Sequence, residues 1–206
     1  KLAGEAEEAD QAEILMNALR ALTRAAEARE VSASGHGEAV ARYAESIGRE
    51  LMLSPDELTE VLYAARVHDV GKIVIPEEIL NKPGSLTEAE YRVTKAHPSV
   101  GAQLVAIIAD SERAQAYVRH HHERFDGTGY PAELKGEAIP LGSRIISVAE
   151  AYLSMTMERP YAPVKSQNEA IAELEALSGV QFDGMLVRLF VLQLKQGKGE
   201  KVRKQR

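Results

Sequence analysis

The chain has 206 residues, 45% of them hydrophobic, which suits a single folded domain with a packed core. Its 31 acidic and 25 basic side chains give a formal net charge of -6 and disfavour binding to nucleic-acid polymers, and the absence of cysteine excludes disulfides, thiolate ligands and a cysteine nucleophile. No segment is typical of a membrane span or a signal peptide, so we expect a cytoplasmic protein without membrane contact.

Residues 1–30 predict a long leading helix rich in Ala, Glu, Leu and Arg. Its apolar stripe, at alternating four- and three-residue steps, consists of Leu15, Leu19, Leu22 and Ala26. The stripe fits a helix that packs on its own domain, and it equally fits a coiled coil to an upstream domain or a second subunit. Because the chain starts at Lys1 instead of methionine, we expect it to be a fragment of a longer protein.

Two further predicted helices carry histidines on their inward faces. The first stripe holds His36, Val40, Tyr43 and Ile47, and the second holds Leu58, Val61, Ala65 and His68. Both imidazoles are therefore expected to face the core. The second helix begins at Ser54-Pro55, since serine is a good N-cap and proline suits the first helical position.

Thr87 and Glu90 form a predicted capping box that opens another helix, which His97-Pro98 should interrupt. A helix then continues through Tyr117. Residues 124–142 are rich in glycine and proline and predict a loop, and helical patterns resume at 143 and recur over 167–177 and 182–194. No strand pattern of useful length occurs, so the predicted fold class is all-α.

Five of the six histidines, together with Asp69, form a candidate metal-binding set. A single inward histidine is usually a satisfied core residue, but here five would each need a separate structural explanation. Without cysteine, the available ligands are His, Asp and Glu, which suit Fe, Mn, Zn or Ni. A set of this size fits two metal ions, as in phosphoester hydrolases. The histidines are His36, His68, His97, His121 and His122.

Two segments carry a family resemblance: His68-Asp69-Val70-Gly71-Lys72, and the run from His121-His122-Glu123 to Asp126-Gly127-Thr128-Gly129-Tyr130-Pro131. With His97 between them, they resemble the HD-GYP family of the HD phosphohydrolase superfamily, over about Glu27 to Phe190. The resemblance implies an HD-domain helical bundle with a long N-terminal helix and a Gly-Tyr-Pro loop. It also implies a bacterial signalling output domain, behind a sensory domain, that hydrolyses cyclic di-GMP to linear pGpG, with GMP left open as a further product.

By the same resemblance, two divalent ions, Fe or Mn with Zn or Ni as alternatives, would activate a hydroxide and clamp the phosphate. The two implied ligand sets are His36, His68, Asp69 and Glu150, and Asp69, His97, His121 and His122. Asp69 would be shared and catalytic. Adjacent His121 and His122 can reach one ion only where a helix ends, because successive helical side chains diverge by about 100°. His120 is then left with a structural role.

Three further residues resemble those that handle the family's substrate. Lys72 would lie near the scissile phosphate, where it would stabilise negative charge or protonate the departing oxygen; the alternative is a solvated lysine. Tyr130 would stack on a guanine, and Arg159 would bind the ligand. Gly127 and Gly129 are expected to serve turn geometry.

The chain departs from the family pattern after Arg144-Ile145-Ile146. Glu150 and Leu153 stand where two aspartates are usual, which lengthens one ligand and removes a carboxylate. Ser32 replaces an acidic residue that supports a third ion in some members, so two ions are expected. Glu30, where an aspartate is common, is expected to contribute near the site.

Three functions follow from these observations. The first is hydrolysis of cyclic di-GMP, the second is a weak or inactive cyclic di-GMP receptor, and the third, disfavoured by the Gly-Tyr-Pro loop, is hydrolysis of another nucleotide. The expected organisation is a connector helix over 1–30, an HD-GYP domain over 31–196 and a basic, solvated tail over 197–206. Expected partners are an upstream sensory domain and a second subunit bound through the leading helix.

Overall fold

The computed structural model describes residues 2–31, 34–109, 111–157 and 163–196, and these residues form helices joined by turns and loops. Within them the helices are α1 (Leu2–Arg29), α2 (His36–Glu50), α3 (Pro55–Val67), α4 (Glu77–Leu80), α5 (Glu88–Thr94), α6 (His97–Ala109), α7 (Glu112–Arg119), α8 (Leu141–Thr156), α9 (Gln167–Ala176) and α10 (Gly184–Lys195). Two 3-10 helices span Val70–Val74 and Gly136–Ala138. The described residues contain no strand, which confirms the all-α prediction.

The core lies between α2, α3, α8 and α10, with α9 packed on one side. Three aromatic rings meet edge to face at its centre. The ring centroids of Tyr43 and Tyr152 are 5.1 Å apart, and that of Phe190 lies 5.2 Å from Tyr152. Such pairs add about 0.5–1.5 kcal/mol each beyond their buried area. This aromatic centre holds α2 against α8, the two helices that carry His36 and Glu150.

Helix starts follow the predicted caps. Ser54 accepts a hydrogen bond from the backbone N–H of Glu57, and Thr87 accepts one from Glu90, each within a complete capping box. The predicted interruption is also confirmed, because α5 ends at Thr94 and α6 begins at His97. The helix predicted through Tyr117 is instead two helices, since Ser111 caps a separate α7 through the N–H of Ala114.

The second half of α1 packs on the domain, against the Val70–Val74 helix and α6. Its buried side chains are Leu19, Thr23 and Ala26, whereas Leu22 is 37% exposed. The inward face thus includes Thr23 between Leu19 and Ala26, and Leu22 of the apolar stripe lies at its border. Across the described residues, no helix combines the length and the apolar character needed to cross a membrane.

Candidate metal centre

The predicted ligands meet because the ends of several helices converge. His36 begins α2, His97 begins α6, and His68 follows the last residue of α3. His121 and His122 lie just beyond α7, which ends at Arg119. The helix therefore ends where two adjacent histidines must turn toward the same ion. Glu150 alone comes from the middle of a helix, α8.

The structure brings the ligand atoms into two groups that share Asp69. In each group the candidate ligand atoms all lie within 4.8 Å of one another. The groups are His36, His68, Asp69 and Glu150, and Asp69, His97, His121 and His122. They coincide with the two sets that the resemblance implies, which supports a centre for two ions around one shared carboxylate.

Hydrogen bonds orient three of these histidines in the same way. The Nδ1 atom of His68 lies 2.8 Å from the Ala65 carbonyl oxygen, and those of His97 and His121 each lie 2.6 Å from a carbonyl three residues earlier. A carbonyl only accepts, so Nδ1 carries the proton in each ring. Nε2 is then the ring atom that faces a metal ion, which is the arrangement usual for ligating histidines.

Two buried polar atoms in the middle of the centre lack a hydrogen-bond partner. Among the described residues, the buried Nε2 of His68 and Oδ1 of Asp69 make no hydrogen bond. The Nε2 atoms of His97 and His121 lie 3.4 Å apart, with a lone pair on each once Nδ1 is the donor. Unsatisfied buried acceptors cost free energy, which a bound cation would recover. The donor set therefore fits divalent ions.

Burial keeps two of the imidazoles neutral. It lowers the pKa of His36 to about 4 and that of His122 to about 3, with neighbouring histidines adding to the effect. Burial also lowers the pKa of His68, but the Asp69 carboxylate outweighs it and raises the value to about 9. At neutral pH, His36 and His122 present free lone pairs, the form that ligates a metal.

Lys72 lies beside the shared carboxylate. Its Nζ is 2.9 Å from Oδ2 of Asp69 and 3.0 Å from Oε2 of Glu30, and its side chain is 22% exposed. Burial lowers the pKa of Lys72, but the two carboxylates outweigh it and raise the pKa above its ordinary value. The Lys72 ammonium is thus fixed by two carboxylates, and the alternative of a solvated lysine is wrong.

The backbone brings Asp69 close to His97 because Gly71 has no side chain. A Cβ placed on Gly71 would lie 2.0 Å from the carbonyl oxygen of His97 and 2.6 Å from the backbone nitrogen of Gly101. No other residue fits there without moving the Val70–Val74 helix away from α6. This contact is consistent with the 3.3 Å separation between Oδ1 of Asp69 and Nε2 of His97.

The two departures from the family pattern lie in different surroundings. The candidate ligand oxygen of Glu150 belongs to the His36 group, and nearby His68 lowers the pKa of Glu150 against the opposing effect of burial. Leu153 is 3% exposed and packs in the hydrophobic core. The longer ligand therefore affects the centre directly, while the leucine contributes to packing.

The Gly-Tyr-Pro loop covers one side of the centre. Tyr130 stacks on His122 with ring centroids 5.0 Å apart and an interplanar angle of 26°. The ring of Tyr91 meets Tyr130 edge-on at 6.4 Å, and Lys95 lies over both rings. An aromatic surface with a nearby cation thus adjoins the second ligand group.

Glu123 anchors this loop, a role that was not predicted from the sequence. Its buried carboxylate accepts hydrogen bonds from the N–H groups of Ala132 at 2.7 Å and Leu134 at 3.1 Å. His120 lies 3.2 Å from the same carboxylate, in keeping with its predicted structural role. The only signal for Glu123 was its place beside His121-His122.

The two loop glycines are required for different reasons. Gly127 has φ 87°, a backbone conformation that favours glycine. A Cβ on Gly129 would lie 2.2 Å from the Arg124 backbone nitrogen, so close packing excludes any side chain there. Arg159 and Ser32 lie outside the described residues, as does the tail 197–206.

Comparison with known proteins assigns the class. The HD domain family model matches residues 13–186, so the chain belongs to the HD domain family. Several curated relatives carry the name of cyclic di-GMP phosphodiesterases and others that of 3′3′-cGAMP-specific phosphodiesterases, and the predicted HD-GYP membership is confirmed.

Individual relatives are similar over most of this chain. A cyclic di-GMP phosphodiesterase of Vibrio cholerae serotype O1 is 38% identical over 192 residues, covering 84% of this chain and 38% of the relative. The cyclic di-GMP phosphodiesterase response regulator RpfG of Xanthomonas campestris pv. campestris is 40% identical over 167 residues, covering 80% and 44%. The chain thus spans less than half the length of these curated relatives.

A solved structure has the same fold. The cyclic GMP-AMP specific phosphodiesterase V-cGAP3 of V. cholerae superimposes with a TM-score of 0.68 at 25% identity. The match covers 88% of this chain and 49% of that one.

Proposed function

We propose that this chain is a metal-dependent phosphodiesterase that hydrolyses cyclic di-GMP to linear pGpG. The observation that carries the proposal is the Asp69 carboxylate shared by two groups of buried ligands. When bound, the two ions, Fe or Mn, would supply an activated water and neutralise charge on the phosphate. The names of the relatives support this reaction class, and those of the two described above support this substrate, whereas three others are named for 3′3′-cGAMP.

The residues of the chain divide the work of phosphate hydrolysis. Asp69 holds the centre together, and the Nε2 atoms of His68, His97 and His121 face inward, where a bound ion would displace any proton from them. Lys72, fixed by Asp69 and Glu30, places a positive charge where the pentavalent phosphorane-like transition state gathers negative charge. A positioned charge of this kind needs no rearrangement when the reaction takes place.

Substrate binding is assigned to the aromatic side of the centre. Tyr130 offers a ring next to His122, and a guanine that displaces or adjoins Lys95 would gain stacking energy there. Arg159 is proposed to bind the ligand on the strength of the resemblance alone. The buried Glu123 would keep the loop in place as the base binds.

A second function, that of a cyclic di-GMP receptor with weak or no turnover, is favoured by one observation. Glu150 replaces the usual aspartate in the His36 group, so its oxygen must reach the ion through one more methylene. Catalytic sites tolerate little displacement, and an ion shifted by less than an ångström can cost turnover while binding survives.

The deciding experiment is anaerobic incubation of Mn- or Fe-loaded protein with cyclic di-GMP, with separation of the products and Asp69→Asn as the inactive reference. Linear pGpG from the parent protein alone supports the phosphodiesterase. Saturable binding without product selects the receptor. Since V-cGAP3 is a cyclic GMP-AMP specific phosphodiesterase, 3′3′-cGAMP is run in parallel, and its exclusive hydrolysis would contradict the substrate assignment.

The cytoplasmic location, an upstream sensory domain, a homodimer through α1 and the three-part domain organisation stay predictions. They complete the proposal of a signalling output domain, in which α1 would connect the input to the metal centre.

A further inference from the structure

We propose that Glu27, on α1, is a positioning residue that fixes His36 for metal binding from outside the ligand set. The inference rests on the proposed two-ion centre. It concerns how strongly the ion of the His36 group is held, and it assigns to α1 a direct part in the centre.

The start of α2 depends on a cap from another helix. Its N-cap residue, Gly35, has φ 73° and supplies no side-chain hydrogen bond. The carboxylate of Glu27 takes this place: Oε2 accepts from the N–H of Gly35 at 3.0 Å and Oε1 accepts from the N–H of Gly37 at 2.8 Å. These two residues flank His36, so one carboxylate holds the backbone on both sides of the ligand.

The opposite side of this turn is fixed by close packing. A Cβ on Gly37 would lie 2.3 Å from the carbonyl oxygen of Arg66, near the end of α3. His68 follows two residues later, and its ring centroid is 5.5 Å from that of His36. The backbone at His36 therefore sits between the Glu27 carboxylate and the end of the helix that leads to the next ligand.

Glu27 itself is held in place because the last turn of α1 is anchored to the Val70–Val74 region. Arg29 donates hydrogen bonds to the carbonyl oxygens of Ile73 at 2.6 Å and Ile75 at 2.7 Å. Asn81 donates to the Arg29 carbonyl at 2.7 Å and accepts from the N–H of Val31 at 3.0 Å. The carboxylate is thus presented from a fixed helix end.

The end of α1 also adjoins the centre directly. Glu27 lines a small cavity with Glu30, His36, Asp69 and Lys72, so it lies at the border of the ligand set. A carboxylate at a helix N-terminus is stabilised by the free N–H groups and the helix dipole. Losing it would free the first turn of α2 and with it the orientation of the His36 ring.

Partners that orient metal ligands typically change metal affinity by about 10- to 100-fold when they are removed. We expect Glu27→Gln to weaken the ion of the His36 group by a factor in this range. The ion held by His97, His121 and His122 should keep its affinity, because these three histidines lie outside the His36 group and the shared Asp69 is held separately by Lys72.

The test is a Mn²⁺ titration of metal-free protein, with bound ions counted by elemental analysis. The matched control is Glu38→Gln, which alters an exposed carboxylate in the first turn of α2 that pairs with Arg66 at the surface. The parent and the control should bind two ions per chain, and Glu27→Gln should bind one tightly and the second weakly. Melting of the metal-free proteins checks that the variants are equally folded.

A second arm separates positioning from a general loss of stability. In a His36→Ala background, where that ion has already lost a ligand, Glu27→Gln should cause no further change in ion content. Loss of both ions from Glu27→Gln, or two ions bound as tightly as in the control, would overturn the inference. A parent protein that holds fewer than two ions would instead contradict the proposed function, and the inference with it.

Discussion

The ammonium of Lys72 lies 2.9 Å from Oδ2 of Asp69, so the proposed catalytic cation and the shared ligand form one contact. The two residues are three apart, across the start of the Val70–Val74 helix. Because both side chains are mostly buried, neither moves freely without the other. The positive charge that Lys72 offers to the phosphate and the negative charge that Asp69 offers to the ions therefore influence each other.

Replacing Lys72 by Met should lower kcat for cyclic di-GMP by about 100-fold or more, because a preorganised charge is lost while the apolar stem is kept. Ion content should stay near two per chain, as the lysine is no ligand. Product formation over time measures kcat, and elemental analysis measures the ion content. The matched control, Lys82→Met, removes a partly buried lysine paired with Glu90, outside both ligand groups, and should leave kcat unchanged. Unaltered turnover in Lys72→Met would remove its catalytic role.

Asp69→Asn should abolish turnover and reduce ion content to below one per chain, because both ligand groups lose their common carboxylate. His36→Ala should cost only one ion, since His36 belongs to a single group. Elemental analysis of protein purified without chelators distinguishes these outcomes. Two ions retained in Asp69→Asn would show that the carboxylate is not shared.

Tyr130→Ala should weaken cyclic di-GMP binding by about tenfold or more, because stacking of one base contributes about 1–3 kcal/mol. Tyr130→Phe keeps the ring and should bind within a small factor of the parent. Isothermal titration with metal-loaded protein measures both, and ion content is checked alongside since Tyr130 stacks on His122. Equal affinity of all three proteins would exclude a stacking role.

Leu153→Asp should lower the free energy of unfolding by about 3 kcal/mol or more, because the side chain is 3% exposed and surrounded by apolar groups. The same change at Leu192, which is 56% exposed, should cost far less. Urea unfolding of the metal-free proteins compares them. A stable Leu153→Asp protein would indicate that the aspartate reaches a polar partner near Glu150.

Much of the site could be predicted because its signals are local in sequence. Ser54 and Thr87 define helix starts through residues three positions away, and the adjacent pair His121-His122 requires a helix end. The apolar stripe of α1 did not identify Thr23 as part of the buried face, because only packing against the domain selects between two neighbouring helical faces.

The remaining features depend on contacts between residues far apart in the chain. Arg29 reaches Ile73, 44 positions away, and nothing local distinguishes this arginine from a solvated one. Glu27 looks like one of many glutamates in an Ala- and Glu-rich helix, yet it caps a different helix. Such roles follow from the tertiary fold and leave no periodic pattern in the sequence.

Gly71 lies close to the carbonyl of His97, so contact between backbone atoms sets the distance between the segment with Asp69 and the segment with His97. Core side chains can therefore be exchanged for others of similar volume and alter stability while Asp69 and His97 keep their separation. Evolution or a designer can therefore adjust the heat tolerance of such a domain while this one separation within the metal centre stays nearly constant. At Gly71 itself this independence ends, since even one added methyl group would change both.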